Sequence, residues 1–237
     1  MKKLFILVLV VFLFNSFAQA SEYSQEAIDL FHEVKMESSS NQYDHLRWPE
    51  DKFPLKVNIV GQTGTVSQNI AEDIFQEFRN INPSLDFQLT KSTGDITLYF
   101  VPAEEFSDYQ EQFGDTSGWW GGYWYWTAEG QHLEQGWSFV STDPGIEDQK
   151  NILRRNLTKL LGLMKDTEVH EDSVFYKYVD SFTELDKEVI NLAYDDSSSI
   201  DVAQIDVKDE DGDLEEDSIK DQEEGWFSHD IIRPSNR

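Results

Sequence analysis

Between Leu55 and Phe100 the apolar residues change their period twice. Leu55, Val57 and Ile59 alternate, which is the spacing of a half-buried strand. Ile70, Ile74, Phe78 and Ile81 then recur at helical intervals, after a Gly61–Thr65 turn in which Thr65 or Ser67 can cap the helix and before Pro83, which stops it. Leu85, Phe87 and Leu89 alternate again, as do Ile96, Leu98 and Phe100. A chain that switches in this way is neither all-helical nor all-strand. Further on, Tyr123–Thr127 and Trp137–Ser141 can pair as the last strands. A second helix opens at Asp143-Pro144, with the aspartate as N-cap candidate and Leu153, Leu157, Leu160, Leu161 and Met164 as its apolar stripe. Gly162 lies near its end, and a third helix with Leu185, Val189 and Leu192 follows Thr183. This order predicts an α+β fold, a mixed sheet of about four or five strands covered by two main helices, plus a C-terminal helix and an acidic tail.

The flanks read differently. Lys2 and Lys3 precede the apolar run Leu4–Phe14, and Ala18-Gln19-Ala20 is a small-x-small ending, so residues 1–20 have the form of a secretory signal. The apolar run is short of the roughly 18–20 residues that span a bilayer, so no stable membrane insertion is expected once it is cleaved. Residues 21–52 read as an N-terminal helix and a polar linker, residues 53–195 as the folded domain, and residues 196–237 as a disordered acidic tail. The formal charge is −27, from 46 acidic residues against 19 lysines and arginines, which argues against nucleic acid and anionic membrane surfaces as partners. There is no cysteine, which excludes disulfides, thiolate metal sites and cysteine nucleophiles.

The stretch Arg155-Asn156-Leu157-Thr158-Lys159-Leu160-Leu161-Gly162-Leu163-Met164-Lys165-Asp166 resembles the zinc helix of metzincin-type metallopeptidases, whose pattern is H-E-x-x-H-x-x-G-x-x-H-D. Gly162 and Asp166 match it. The strand–helix–strands order upstream is similar to the zincin fold, and Thr183–Tyr194 resembles the closing helix of the matrixin-like branch. The chain is also similar to an uncharacterised family of exported bacterial domains, whose helix reads about E-E-L-T-Q-x-L-G-L and is followed by an acid and a D-S-[IV]-F segment; here these are Arg155–Leu163, Asp166 and Asp172-Ser173-Val174-Phe175. Set against the zinc pattern, Arg155, Lys159 and Lys165 stand at the three histidine positions, and Asn156 stands at the glutamate. Protonated cations offer no lone pair to Zn²⁺, and an amide is no general base. The resemblance therefore implies a degenerate zinc site, with no cofactor. Arg155 and Lys159, four residues apart, either face a cleft and pair with carboxylates or form an ordinary solvated helix face.

Other constellations are weaker. His32-Glu33-Val34-Lys35-Met36 has methionine where a zinc motif needs histidine, and His170-Glu171-Asp172 needs donors from elsewhere. Asp209-Glu210-Asp211-Gly212-Asp213 lacks the ligating first and twelfth residues of a calcium loop, leaving only weak Ca²⁺ association with the tail on charge grounds. Trp119-Trp120-Gly121-Gly122-Tyr123-Trp124-Tyr125-Trp126 puts the two tyrosines on one strand face and Trp124 and Trp126 on the other. Trp119, Trp120, Trp124 and Trp126 are thus either part of an aromatic core or a surface for stacking on sugar rings or gripping a peptide.

These features together predict an exported, non-catalytic binding module with a lost zinc site, periplasmic or extracellular, whose ligand is a protein or a carbohydrate. The alternatives are a secreted hydrolase with an unrecognised site and a carbohydrate-binding protein that uses the Trp/Tyr-rich edge. Mass spectrometry of the exported protein is expected to find Ser21 as its first residue. An intact Met1 in that fraction would contradict the signal assignment.

Overall fold

A computed structural model describes residues 23–38, 41–109, 119–128 and 132–195. The expected signal at 1–20 and the acidic tail at 196–237 lie outside them. In chain order the elements are α1 (Gln25–Val34), β1 (Glu37–Ser38), β2 (Asn41–His45), β3 (Leu55–Gly61), α2 (Thr65–Ile81), β4 (Phe87–Leu89) and β5 (Ile96–Val101). There follow the one-turn α3 (Phe106–Tyr109), β6 (Gly121–Ala128), β7 (His132–Ser141), α4 (Ile146–Leu160) and α5 (Glu184–Ala193).

Five strands form one mixed sheet in the order β4-β3-β5-β7-β6. β3 pairs in parallel with β4 and β5, and β5 in parallel with β7. β6 closes the sheet as an antiparallel edge strand, with Trp124 opposite Trp137. This is the α+β architecture, and the two aromatic segments pair as the sequence predicts. Parallel neighbours require crossovers, and α2 supplies the one between β3 and β4.

One face of the sheet receives the alternating side chains Leu55, Val57, Ile96, Leu98, Phe100, Tyr123 and Tyr125. Against them pack Ile70, Ile74, Phe75 and Phe78 of α2, and Ile152, Leu153, Leu157 and Leu160 of α4. Each such side chain contributes about 1.5–3 kcal/mol on leaving water. Residues 23–48 join the same core through Ala27, Leu30, Phe31, Val34, Leu46 and Trp48. The segment expected to be a linker instead contains the antiparallel pair β1–β2, with Glu37 opposite His45. Its apolar content is modest, but Met36 N–H binds Gly162 O at 3.0 Å and Trp48 Nε1–H binds Leu160 O at 2.7 Å.

Two predicted caps differ from the structure. α2 and α4 start from Gly64 and Gly145, neither with a side-chain cap. Asp143, expected to cap α4, instead accepts from Ala103 N–H at 3.1 Å and from Ser141 Oγ–H at 2.9 Å, tying the end of β7 to the segment after β5. α5 keeps its predicted start, with Thr183 and Asp186 forming a reciprocal capping box.

The buried end of α4 depends on Gly162. Its φ is +94°, and a Cβ there would lie 1.7 Å from Leu46 O. The carbonyls left over at the helix end are satisfied from outside: Leu160 O by Trp48, Leu161 O by Tyr194 Oη–H at 2.9 Å, and Gly162 O by Met36. Burial pushes the Tyr194 hydroxyl pKa far above its ordinary value, so it remains a donor. Gly162→Ala is expected to cost about 3 kcal/mol or more in denaturant unfolding, combining the left-handed backbone penalty with a main-chain clash. Gly145→Ala, whose Cβ would meet nothing closer than Asp148 Oδ2 at 3.9 Å, should cost about 1 kcal/mol or less.

Candidate functional site

Every residue of α4 from Ile152 to Leu160 is buried, the polar ones included. The helix has the sheet on one side and α2, the 163–180 segment and the N-terminal segment around the rest. Its polar side chains must therefore find partners inside the protein.

Arg155 and Lys159 stand one turn apart and converge on a single oxygen. Arg155 Nη2 and Lys159 Nζ each lie 2.5 Å from Asp166 Oδ1. Lys159 uses its remaining ammonium protons on Lys165 O at 2.6 Å and Met164 O at 3.0 Å. Arg155 Nη1 donates to Val174 O at 2.6 Å. The cationic side chains are 4% and 1% exposed, whereas the Asp166 carboxylate is 45% exposed. Two buried positive charges thus share one half-solvated negative charge, with carbonyl dipoles making up the balance. Of the two readings that the sequence left open, the structure excludes the solvated face and shows the pairing with a carboxylate, but in the interior rather than facing a cleft.

Lys165, the third mapped position, does not join them. Its side chain is exposed, and only its main chain takes part: N–H to Val34 O at 2.9 Å, and C=O to Lys159. The chain turns sharply at Gly162, which brings the Lys165 carbonyl rather than its side chain to the helix.

Asn156 is fully buried and faces the sheet. Its Nδ2 donates to Gly122 O at 2.9 Å, Ser138 Oγ at 3.0 Å and Phe139 O at 3.1 Å, a three-way clamp across β6 and β7 where Gly122 and Phe139 are partners. Its Oδ1 is buried with no donor. Gly121 lets α4 approach the sheet here, since a Cβ there would strike Ile152 Cγ2 at 2.4 Å. Nothing at this position can activate a water.

Sequence reasoning missed Arg154, whose side chain reaches Glu77, Asn151, Val179 and Phe182. It is 2% exposed and forms a two-pronged pair with Glu77 of α2 (Nε–Oε2 2.6 Å, Nη2–Oε1 2.8 Å). Its Nη1 reaches Val179 O at 2.6 Å, and the guanidinium lies over the Phe182 ring at 5.8 Å. In a sequence an arginine on a helix looks like surface, and no local signal marks this one as buried. Asp186 was also missed: fully buried, it accepts from Ser173 Oγ–H at 2.6 Å, so the D-S-V-F segment is pinned to the head of α5.

The tryptophans divide. Trp119 and Trp124 are 6% and 2% exposed and form a second small core with Val101, Ala103, Phe106 and Phe139 on the far side of the sheet. This corrects the expectation that they offer a binding surface, because the Ala103–Phe106 segment covers that face. Tyr123 and Tyr125 fill the main core, and burial pushes the Tyr125 pKa up to about 12. Trp120 and Trp126 are half-buried; the Trp120 ring stacks on Tyr178 with centroids 6.5 Å apart. His170 Nδ1 lies 3.8 Å from Glu26 Oε1, and no cluster of three or more metal-ligating side chains occurs among the described residues. The Asp209–Asp213 acids lie outside those residues.

The sequence matches no protein-family model and no curated protein.

Two substitutions test the cluster. Asp166→Asn leaves two buried cations without a carboxylate and is expected to cost about 1–3 kcal/mol, below the roughly 3–5 of a fully enclosed pair because water reaches Asp166. Asn156→Asp turns an NH2 whose two protons serve three acceptors into an acceptor facing two carbonyls and is expected to cost about 2–4 kcal/mol. Urea unfolding of both variants at neutral pH measures the two losses.

Proposed function

We propose that this chain is an exported, non-catalytic α+β interaction module, with a zincin-like layout in which an internal ion cluster stands where a metal helix would present its ligands. The observation that carries this reading is the use of Lys159 and Arg155: at the two helix positions mapped to imidazoles, both side chains donate to one carboxylate and to main-chain carbonyls. The mixed sheet with its antiparallel edge strand, and the helix packed across it, support the layout. The clamp made by Asn156 supports the absence of a base at the position mapped to glutamate.

Function then rests on surface recognition. The half-buried Trp126 on the edge strand and Trp120 at its start present aromatic area beside the sheet margin, which suits a sugar ring or an extended peptide. Purified mature protein is expected to contain zinc well below one atom per chain and to cleave no peptide library. Glycan and peptide arrays are expected to give binding that Trp126→Ala weakens about tenfold or more. Stoichiometric zinc accompanied by peptidase activity would overturn the proposal.

A further inference from the structure

The solvent side of α1 carries Glu26, Asp29 and Glu33, three and four residues apart on one helical face and all exposed. Across from them stand Val169 and His170, and between the two sides runs a groove of about 470 Å³, lined also by the buried Leu30. Val169 is 74% exposed, the most exposed large hydrophobic residue among those described. No lysine or arginine lines the groove. It combines three carboxylates with an apolar floor and lip, so it fits a segment that is both cationic and apolar.

The described chain ends beside this groove. Tyr23 Oη–H donates to Asp195 Oδ2 at 2.7 Å, and Ser24 Oγ–H donates to Glu188 Oε2 at 2.6 Å, so the end of α5 meets the head of α1. The sequence then continues through an acid-rich stretch that the groove repels. In residues 225–237 the balance reverses: Arg233 and Arg237 stand against the single acid Asp230, among Trp226, Phe227, Ile231 and Ile232. Residues 196–224 number 29; a random-coil chain of about that length spans roughly 30 Å root-mean-square, enough to reach back, and such a linker holds its end at an effective concentration in the millimolar range.

We propose that residues 225–237 dock in the α1 groove as a tethered ligand of their own chain. Arg233 and Arg237 meet Glu26, Asp29 and Glu33, and Ile231 and Ile232 meet Val169. An outside partner for this groove is then a cationic, apolar peptide that must displace the tail, so the tether sets its threshold. The proposal is independent of the fate of the zinc site.

Hydrogen–deuterium exchange on the full mature chain tests it. The amides of residues 226–233 are expected to exchange about tenfold more slowly than in the Arg233→Glu/Arg237→Glu variant, the effect of a millimolar tether on a groove with a dissociation constant near a tenth of that. Glu26→Lys/Glu33→Lys should lose the same protection, and combining the two reversals should restore it. Thermal melts verify that each variant is folded. If the groove variant fails to fold, the salt response of the unmodified chain decides: protection should collapse between about 0.15 and 1 M salt, as screening shortens from ~8 to ~3 Å. Unprotected tail amides, protection that survives either reversal alone, or protection indifferent to salt would each overturn the proposal.

Discussion

From Ile152 to Leu160, α4 is buried on every side and cannot leave a charge to the solvent, and this stretch carries three cations, Arg154, Arg155 and Lys159. Each must be neutralised by something the fold delivers to it. Glu77 arrives from α2 for Arg154, while Asp166 arrives from the segment after the helix for Arg155 and Lys159. These pairings constrain the molecule more tightly than its apolar contacts do, since a leucine accepts many neighbours and a guanidinium needs particular oxygens in particular directions. The course of residues 163–180 follows from this requirement. Met164 and Lys165 carbonyls turn to Lys159, Val174 O turns to Arg155, and Val179 O turns to Arg154. A stretch with no helix or strand of its own is thereby held by donors from one central helix.

The same logic explains the sheet margin. β6 is an edge strand with two glycines at its start, which gives it little side-chain packing there. Asn156 compensates by donating to carbonyls on β6 and β7 at once, fastening the edge to its neighbour from below. Sheet, helix and the following segment are thus linked through three consecutive positions of α4, Arg154 to Asn156, each pointing to a different neighbour.

What the sequence disclosed, and what it hid, follows from which interactions leave a periodic trace. Leu55/Val57/Ile59 and Ile70/Ile74/Phe78 lie on faces that meet one apolar layer, so period two and period 3.6 stand out, and both elements form where the spacing places them. The leucines of α4 were legible for the same reason. Its polar residues were not, because a buried arginine with a carboxylate partner more than seventy positions away has the same local signature as one in water. The tryptophans failed differently. Alternation correctly separated Tyr123 and Tyr125 from Trp124, but one strand cannot reveal that the Ala103–Phe106 segment crosses above the second face. The segment after α1 was underestimated because, beside the buried Leu46 and Trp48, its attachment uses isolated bonds, Met36 to Gly162, Lys165 to Val34 and Trp48 to Leu160, which leave no periodic pattern.

Under the proposed zincin-like reading, the ion cluster meets the structural need that a bound dication would meet, since either can tie a helix to the segment that follows it. They differ in what is left over. A metal that keeps an open coordination position can polarise water, whereas Lys159 has its protons committed to two carbonyls and one carboxylate, and Arg155 is held on both arms of its fork. The single exposed element of the cluster is the Asp166 carboxylate, and it already faces two cations. The cluster ties the helix to the segment after it, and under the reading proposed above recognition falls to the aromatic margin of β6 and the acidic face of α1.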